Sequence, residues 1–178
     1  MNLLIKDNFF ENPDTLRRMA LDCDYIDSEK VKVDVGWRGY RTDEFEVIGN
    51  PHLIAASEKI RKAVCNHYNL EGYSISSHFH LSHLGTKKTL PDFENKKYHF
   101  DQCEYAGVVY FKPSPPEGTG TSILDGARNK IESVDNKYNR LTVYPAHHIH
   151  APTDLFGNDF TTGRLTLTFF MAKDWTWD

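Results

Sequence analysis

The sequence predicts a mainly β fold with flanking helices, a β-sandwich or jelly roll with N-terminal helices packed outside it. Three observations carry that expectation. Apolar residues at helical spacing are confined to residues 1–71; from Gly72 onward the apolar period falls to near two; and this second part is cut by Gly, Pro, Asn and Asp into short segments rich in Thr, Val, Ile, Tyr and Phe. Helices followed by a run of strands point to layers that segregate the two.

The elements follow in order. After Asn12-Pro13, the segment "DTLRRMALDCDY" spaces Leu16, Met19, Ala20 and Cys23 by threes and fours, with Asp14 placed to favour a helix start. The segment "NPHLIAASEKIRKAVCNHY" repeats the pattern through Leu53, Ala56, Ile60, Ala63 and Val64, opening on Asn50-Pro51, where Asn can cap and Pro fits the first turn. About seven or eight strands are expected from "YSISSHFHLSHL", "KYHFD", "YAGVVYFKP", "GTSIL", "NRLTVYP", "HHIHAP" and "RLTLTFFMA". Between them, "DGARNKIESVDNKYN" reads as a hairpin excursion or a partly helical loop.

A chain of 178 residues fits one domain, here taken as residues 1–178, with a helical part over 1–71 and a β core over 72–178. Aromatics at 13% place it among folding chains, and a net charge of −4 offers no general field for a phosphate backbone, so nucleic acid is not the expected partner. Cys23, Cys65 and Cys103 form an odd set without a CxxC pair, which suits a reducing compartment. The opening "MNLLIKDNFFENPD" has an apolar patch too short for a signal peptide, and no stretch approaches the roughly 20 apolar residues of a membrane span. A cytoplasmic protein is expected.

Chemistry enters with "KKYHFDQCEYAGVVYFKP". On a strand, residues i and i+2 share a face, so His99 and Asp101 can reach one ion; with one more imidazole they make a facial triad that leaves positions open for a chelating ligand. Alone, the pair reads equally as a solvent-facing strand end. A third ligand is available in "NRLTVYPAHHIHAPTDLFGNDFTTGRLTLTFF", where Arg164 opens an apolar strand that puts Leu165, Leu167 and Phe169 on one face and Arg164, Thr166 and Thr168 on the other. A guanidinium fork with a hydroxyl two residues on can clamp a carboxylate. The competing reading of Arg164 is a buried ion pair or a surface charge.

Together these segments resemble the 2-oxoglutarate and Fe(II)-dependent dioxygenase superfamily, and within it the small prolyl-hydroxylase-like members. The resemblance spans roughly residues 72–172: His99-x-Asp101, "AGVVYF", the turn and strand "GTGTSIL", and the closing "HAPTDLFG…GRLTLTFF". It implies a double-stranded β-helix of the cupin-like type, with Fe(II) held by His99, Asp101 and His150. It also implies 2-oxoglutarate as cosubstrate on Arg164 and Thr166, with Tyr110 as a further contact or, alternatively, a core aromatic. His148 is the alternative ligand or a supporting group, and His147 is expected to point to the other side of a strand. His78, His80 and His83 read first as ordinary polar positions and second as substrate or cosubstrate contacts.

The implied reaction consumes dioxygen and hydroxylates a C–H bond, with succinate and carbon dioxide as coproducts. Candidate substrate residues are Trp37, Arg38 and Tyr40 in "VGWRGYRTDEF", which also read as a fold-stabilising cluster; "FHLSHLGTKKTLPDFENKK" has the Gly, Pro and Lys content of a lid. A protein side chain such as proline is the first substrate class by analogy, a small metabolite the second and a nucleobase the third. The alternative of another kind is a non-redox cupin-like module that binds a metal or ligand.

Overall fold

Each of the two Asn-Pro pairs opens a helix. In the computed structural model, which describes residues 1–31, 37–88 and 98–173, these helices are α1 (Pro13–Asp22) and, after the short α2 (Phe45–Ile48), α3 (Pro51–Tyr68). The Asn50 carboxamide accepts the His52 N–H at 2.9 Å, satisfying one of the donors a helix start leaves over, and Asn69 closes α3 in the left-handed conformation with φ 55°. A fourth helix, α4 (Leu84–Lys88), falls within the lid expected in that stretch, of which residues 89–97 are outside the described set.

Ten strands among the described residues form two antiparallel sheets, a mainly β, jelly-roll-like arrangement. They are β1 (Leu4–Lys6), β2 (Ile26–Asp27), β3 (Tyr40–Arg41), β4 (Tyr73–Ser82), β5 (Tyr105–Tyr110), β6 (Thr121–Leu124), β7 (Lys130–Val134), β8 (Leu141–Pro145), β9 (Ile149–Pro152) and β10 (Arg164–Lys173). The large sheet runs β1-β8-β5-β10-β4-β3-β2 and the small one β7-β6-β9. Strand β10 lies at the centre, paired along its length with β4 and along most of it with β5.

Alternation along β10 decides where everything else goes. Leu165, Leu167, Phe169 and Met171 share one buried cluster with Phe79, Leu81, Val109 and Phe111 of neighbouring strands and with Leu16, Ala20, Leu53, Ile60 and Val64 of the helices. Each such side chain contributes about 1.5–3 kcal/mol when withdrawn from water, so this apolar layer is what sets the register of the sheet. The opposite face carries Arg164, Thr166 and Thr168, and with them the buried His78, Ser82 and Thr142 from strands alongside. A small apolar group, Ala106, Ile123, Tyr144 and Ala146, joins that face to the small sheet.

Two segments differ from the sequence reading, and a third takes the first of its two alternatives. In "KYHFD" the described residues 98–101 form no strand; His99 makes only an isolated bridge. "DGARNKIESVDNKYN" is the hairpin excursion, a turn and β7 pairing back on β6, because the Asp125 carboxylate accepts the N–H groups of Ala127 and Asn129 at 2.9 and 2.8 Å and Arg128 takes φ 65°. In "HHIHAP" the strand begins only at Ile149, leaving His147 and His148 in the preceding turn. None of the described helices is long and apolar enough to cross a membrane.

Gly107 sits where β5 is pressed between β10 and β8. A Cβ there meets the Thr142 carbonyl oxygen at 2.3 Å and the Phe169 ring at 2.5 Å, so one must move. Gly107→Ala is expected to destabilise the fold by about 1–3 kcal/mol in urea titration, the usual cost of overpacking, while an alanine at the open Gly126 is expected to cost little.

Candidate active site

Two histidines far apart in sequence are fixed side by side by their own backbones. The His150 N–H donates to the His99 carbonyl at 2.8 Å and the His99 N–H donates to the His150 carbonyl at 3.2 Å. Residues exchanging bonds in this way project to the same face, and the imidazole centroids stand 4.5 Å apart. Asp101 follows two positions on, its N–H donating to the Ala146 carbonyl at 3.0 Å. Its Oδ2 lies 3.2 Å from His150 Nε2 and its Oδ1 3.7 Å from His99 Nε2.

One ligand atom from each of these three residues falls within 4.8 Å of the others. Two details fit a divalent cation. Asp101 Oδ2 is buried without a hydrogen bond, an uncompensated state that costs several kcal/mol unless something positive meets it. His150 Nδ1 stands 2.9 Å from the His148 carbonyl; donating its proton there leaves Nε2 with a free lone pair turned toward Asp101. His148 therefore contributes its carbonyl, while its ring lies against His147 at 4.3 Å.

Arg164 enters the same space from β10. Its side chain is 4% exposed, its Nε has no hydrogen bond, and no carboxylate among the described residues pairs with it. One terminal nitrogen reaches Thr121 Oγ1 at 3.4 Å, and the guanidinium lies 5.4 Å from the centre of the Tyr110 ring. The Tyr110 hydroxyl bonds Thr121 Oγ1 at 2.6 Å, so Tyr110 is both core aromatic and polar wall, tying β5 to the small sheet. Thr166, fully buried, stands opposite Tyr110 and offers its hydroxyl to the His80 carbonyl at 3.3 Å. Burial pulls the Arg164 pKa below its ordinary value, the expected response of a cation lacking a counter-ion.

The stretch expected to meet substrate divides. The Trp37 ring meets the His80 ring edge-on at 6.2 Å, whereas Tyr40 stacks on His83 at 5.8 Å and lies tilted against Phe160 at 4.7 Å, packed against the apolar layer under the helices. Arg38 is engaged through its carbonyl, which lies 2.6 Å from His80 Nε2. Val35 and Gly36 of this stretch are outside the described residues. Arg41, which the sequence reading passed over, is the one aligned with the polar face, paired directly with His80. His78 and His80 both lie on that face, and burial with the charge of Arg41 holds His78 far below the usual imidazole range and His80 down to about 3.

The backbone has known counterparts. A prolyl-4-hydroxylase from Pseudomonas putida superposes with a TM-score of 0.62 at 16% identity, over 97% of this chain and 93% of the other. The fold is shared with that hydroxylase. HygX from Streptomyces hygroscopicus, solved with nickel and 2-oxoglutarate bound, matches at 0.60 and 10% identity over 97% and 83%. IDO from Bacillus thuringiensis matches at 0.56 and 13% identity over 97% and 91%. No protein-family model matches the chain, and no curated protein matches it in sequence. In fold the chain thus resembles 2-oxoglutarate oxygenases, and it carries a His-Asp-His cluster.

The neutrality of His80 has a thermal consequence. Its folded pKa lies below the unfolded value of about 6.5, so between those values the unfolded chain binds more protons and stability falls as pH is lowered. Melting temperature should drop from pH 6.5 toward pH 4.5, with His80 contributing up to about 1 kcal/mol per pH unit, discounted for its partial exposure. His80→Gln should flatten that slope in a calorimetric pH series; an unchanged slope would assign it to other groups.

Proposed function

We propose that the chain is a 2-oxoglutarate- and Fe(II)-dependent dioxygenase that hydroxylates a C–H bond of a protein side chain, prolyl in type, or of a small molecule. Succinate and carbon dioxide are the coproducts. In this reading the sheets form a double-stranded β-helix with the N-terminal helices outside. The observation that carries it is that one polar face holds two opposite deficits, a buried Asp101 carboxylate oxygen without a hydrogen bond and a buried Arg164 guanidinium without a carboxylate partner among the described residues. A bound metal with a chelating dicarboxylate answers both, and a metal-only cupin-like module leaves Arg164 unexplained.

His99, Asp101 and His150 would hold the iron, and Arg164 with Thr166 the distal carboxylate of 2-oxoglutarate. Bound together, these groups supply oxidation of a C–H bond by dioxygen coupled to decarboxylation of the cosubstrate. The chain's own part is orientation. The His148 carbonyl fixes the His150 tautomer, and the Ala146 carbonyl fixes the approach of Asp101. Tyr110 and Thr121 brace the guanidinium from two sheets, so a carboxylate there meets donors already in place. The three cysteines form no disulfide, in keeping with a cytoplasmic location, which we propose together with dioxygen and a non-nucleic-acid substrate as partners.

His99→Ala, Asp101→Ala and His150→Ala should each abolish iron-dependent succinate formation with the circular dichroism spectrum retained, since each removes one of three ligands. His148→Ala, which keeps the carbonyl, should leave iron affinity nearly native. Arg164→Ala should weaken 2-oxoglutarate binding by about tenfold to a hundredfold, the worth of a charge-assisted hydrogen bond, with Fe(II) affinity kept. Thr166→Val should cost less. Pyruvate, which lacks the distal carboxylate, should replace 2-oxoglutarate poorly; equal use of the two keto acids overturns the assignment.

A further inference from the structure

A second guanidinium, that of Arg41, lies on the same polar face; it feels the Asp101 carboxylate electrostatically but forms no ion pair among the described residues. Arg41 stands in register with His80, which in turn pairs with Thr166, so Arg41, His80 and Thr166 lie in one row across the polar face of the large sheet. Its guanidinium is held between two rings, 4.9 Å from the centre of Trp37 and 5.8 Å from that of Phe170. Cation–π contacts on the planar faces leave the fork's edge for ligands. That edge is open: Nε is buried with no hydrogen bond, and the Asp101 carboxylate acts on the guanidinium from a distance without an ion pair among the described residues. His78, whose ring lies 5.5 Å from the same Phe170, also has a buried Nε2 without a partner. Two orphaned polar groups thus flank one aromatic ring.

Charge counting says what is missing. The lumen presents Arg41 and Arg164 as cations and Asp101 as its acid, while His78 and His80 stay neutral. One carboxylate of a dianionic cosubstrate together with Asp101 would offset a divalent metal, the distal carboxylate would offset Arg164, and the charge of Arg41 is left over. A peptide main chain passing the site brings no charge to meet it.

We propose that the substrate is a small carboxylic acid whose carboxylate is gripped by Arg41, with a hydrogen bond from His78. This rests on the dioxygenase reading and narrows it from a protein side chain to a free acid. Arg41 becomes the specificity-determining residue on the substrate side, as Arg164 is on the cosubstrate side.

The test uses protein loaded under nitrogen with Fe(II) and 2-oxoglutarate and titrated with a panel of small carboxylic acids, the proteinogenic L-amino acids among them, each beside its carboxamide. Binding is read from the visible charge-transfer band and by calorimetry, and turnover separately as succinate above the uncoupled background. At least one acid should bind, and its carboxamide should bind about tenfold or more weakly. Arg41→Gln should weaken the acid by about tenfold to a hundredfold, bring acid and amide within about threefold, and leave 2-oxoglutarate affinity within about twofold. Arg41→Lys, which keeps the charge and loses the fork, should fall between, and with the native acid-to-amide ratio it decides the matter even if Arg41→Gln does not fold. Binding of no acid, equal binding of acid and amide, an indifferent Arg41→Gln, or tight binding of a doubly capped proline peptide untouched by that substitution each overturns the proposal. Failure of the band to form with 2-oxoglutarate alone removes the dioxygenase reading itself; a normal band with an indifferent Arg41 removes only the substrate assignment.

Discussion

Two backbone hydrogen bonds between His99 and His150 are the constraint from which the site is built. They are formed outside any extended strand at the His99 end, so the register is set by one residue pair rather than by a ladder. Shifting it by one position would turn one imidazole to the opposite face. The register is held from both sides. On the His150 side, Ile123 and Leu124 of β6 pair with His150 and Ile149; on the other, Asp101 is tied to Ala146, whose own N–H donates to the Glu104 carbonyl. A cluster of ligating atoms within 4.8 Å therefore rests on main-chain geometry, and the side chains need little freedom to meet.

The second constraint is electrostatic and works through β10. One face of this strand is apolar because the helices cover it, which frees the other face to be polar under the small sheet. Burying Arg164 and leaving its Nε unbonded is costly, as is burying Asp101 Oδ2. The apolar layer behind the sheet supplies the stability against which those costs stand. Opposite charges thus lie on one polar face without an ion pair between them among the described residues.

How much of this was legible in sequence follows from period and distance. The alternation of β10 places Arg164 and Thr166 on one face, and the i, i+2 spacing of His99 and Asp101 needs no tertiary information. Choosing among His147, His148 and His150 did, because the turn that ends at Ile149 makes parity meaningless before it. The strands β1, β2 and β3 are only two or three residues long, too short to show a period, and β7 is exposed along most of its length, so neither face carries a pattern.

Arg41 shows the same limit on the polar face. In sequence it is one of several cations in an aromatic stretch, adjacent to Tyr40, and nothing in the spacing favours either. Pairing decides between them: Tyr40 lies opposite Leu81, whose face is the apolar layer, and Arg41 lies opposite His80, whose face is the lumen. A two-residue strand thus inherits its inside and outside wholly from β4. The inheritance runs on through β10 to Tyr110, so four strands agree on which side is polar. The consequence is that the His-Asp-His cluster comes from the small-sheet side and the guanidinium groups of Arg41 and Arg164 from the large sheet. A ligand joining them must span the gap between the sheets with its negative charge directed at the large one.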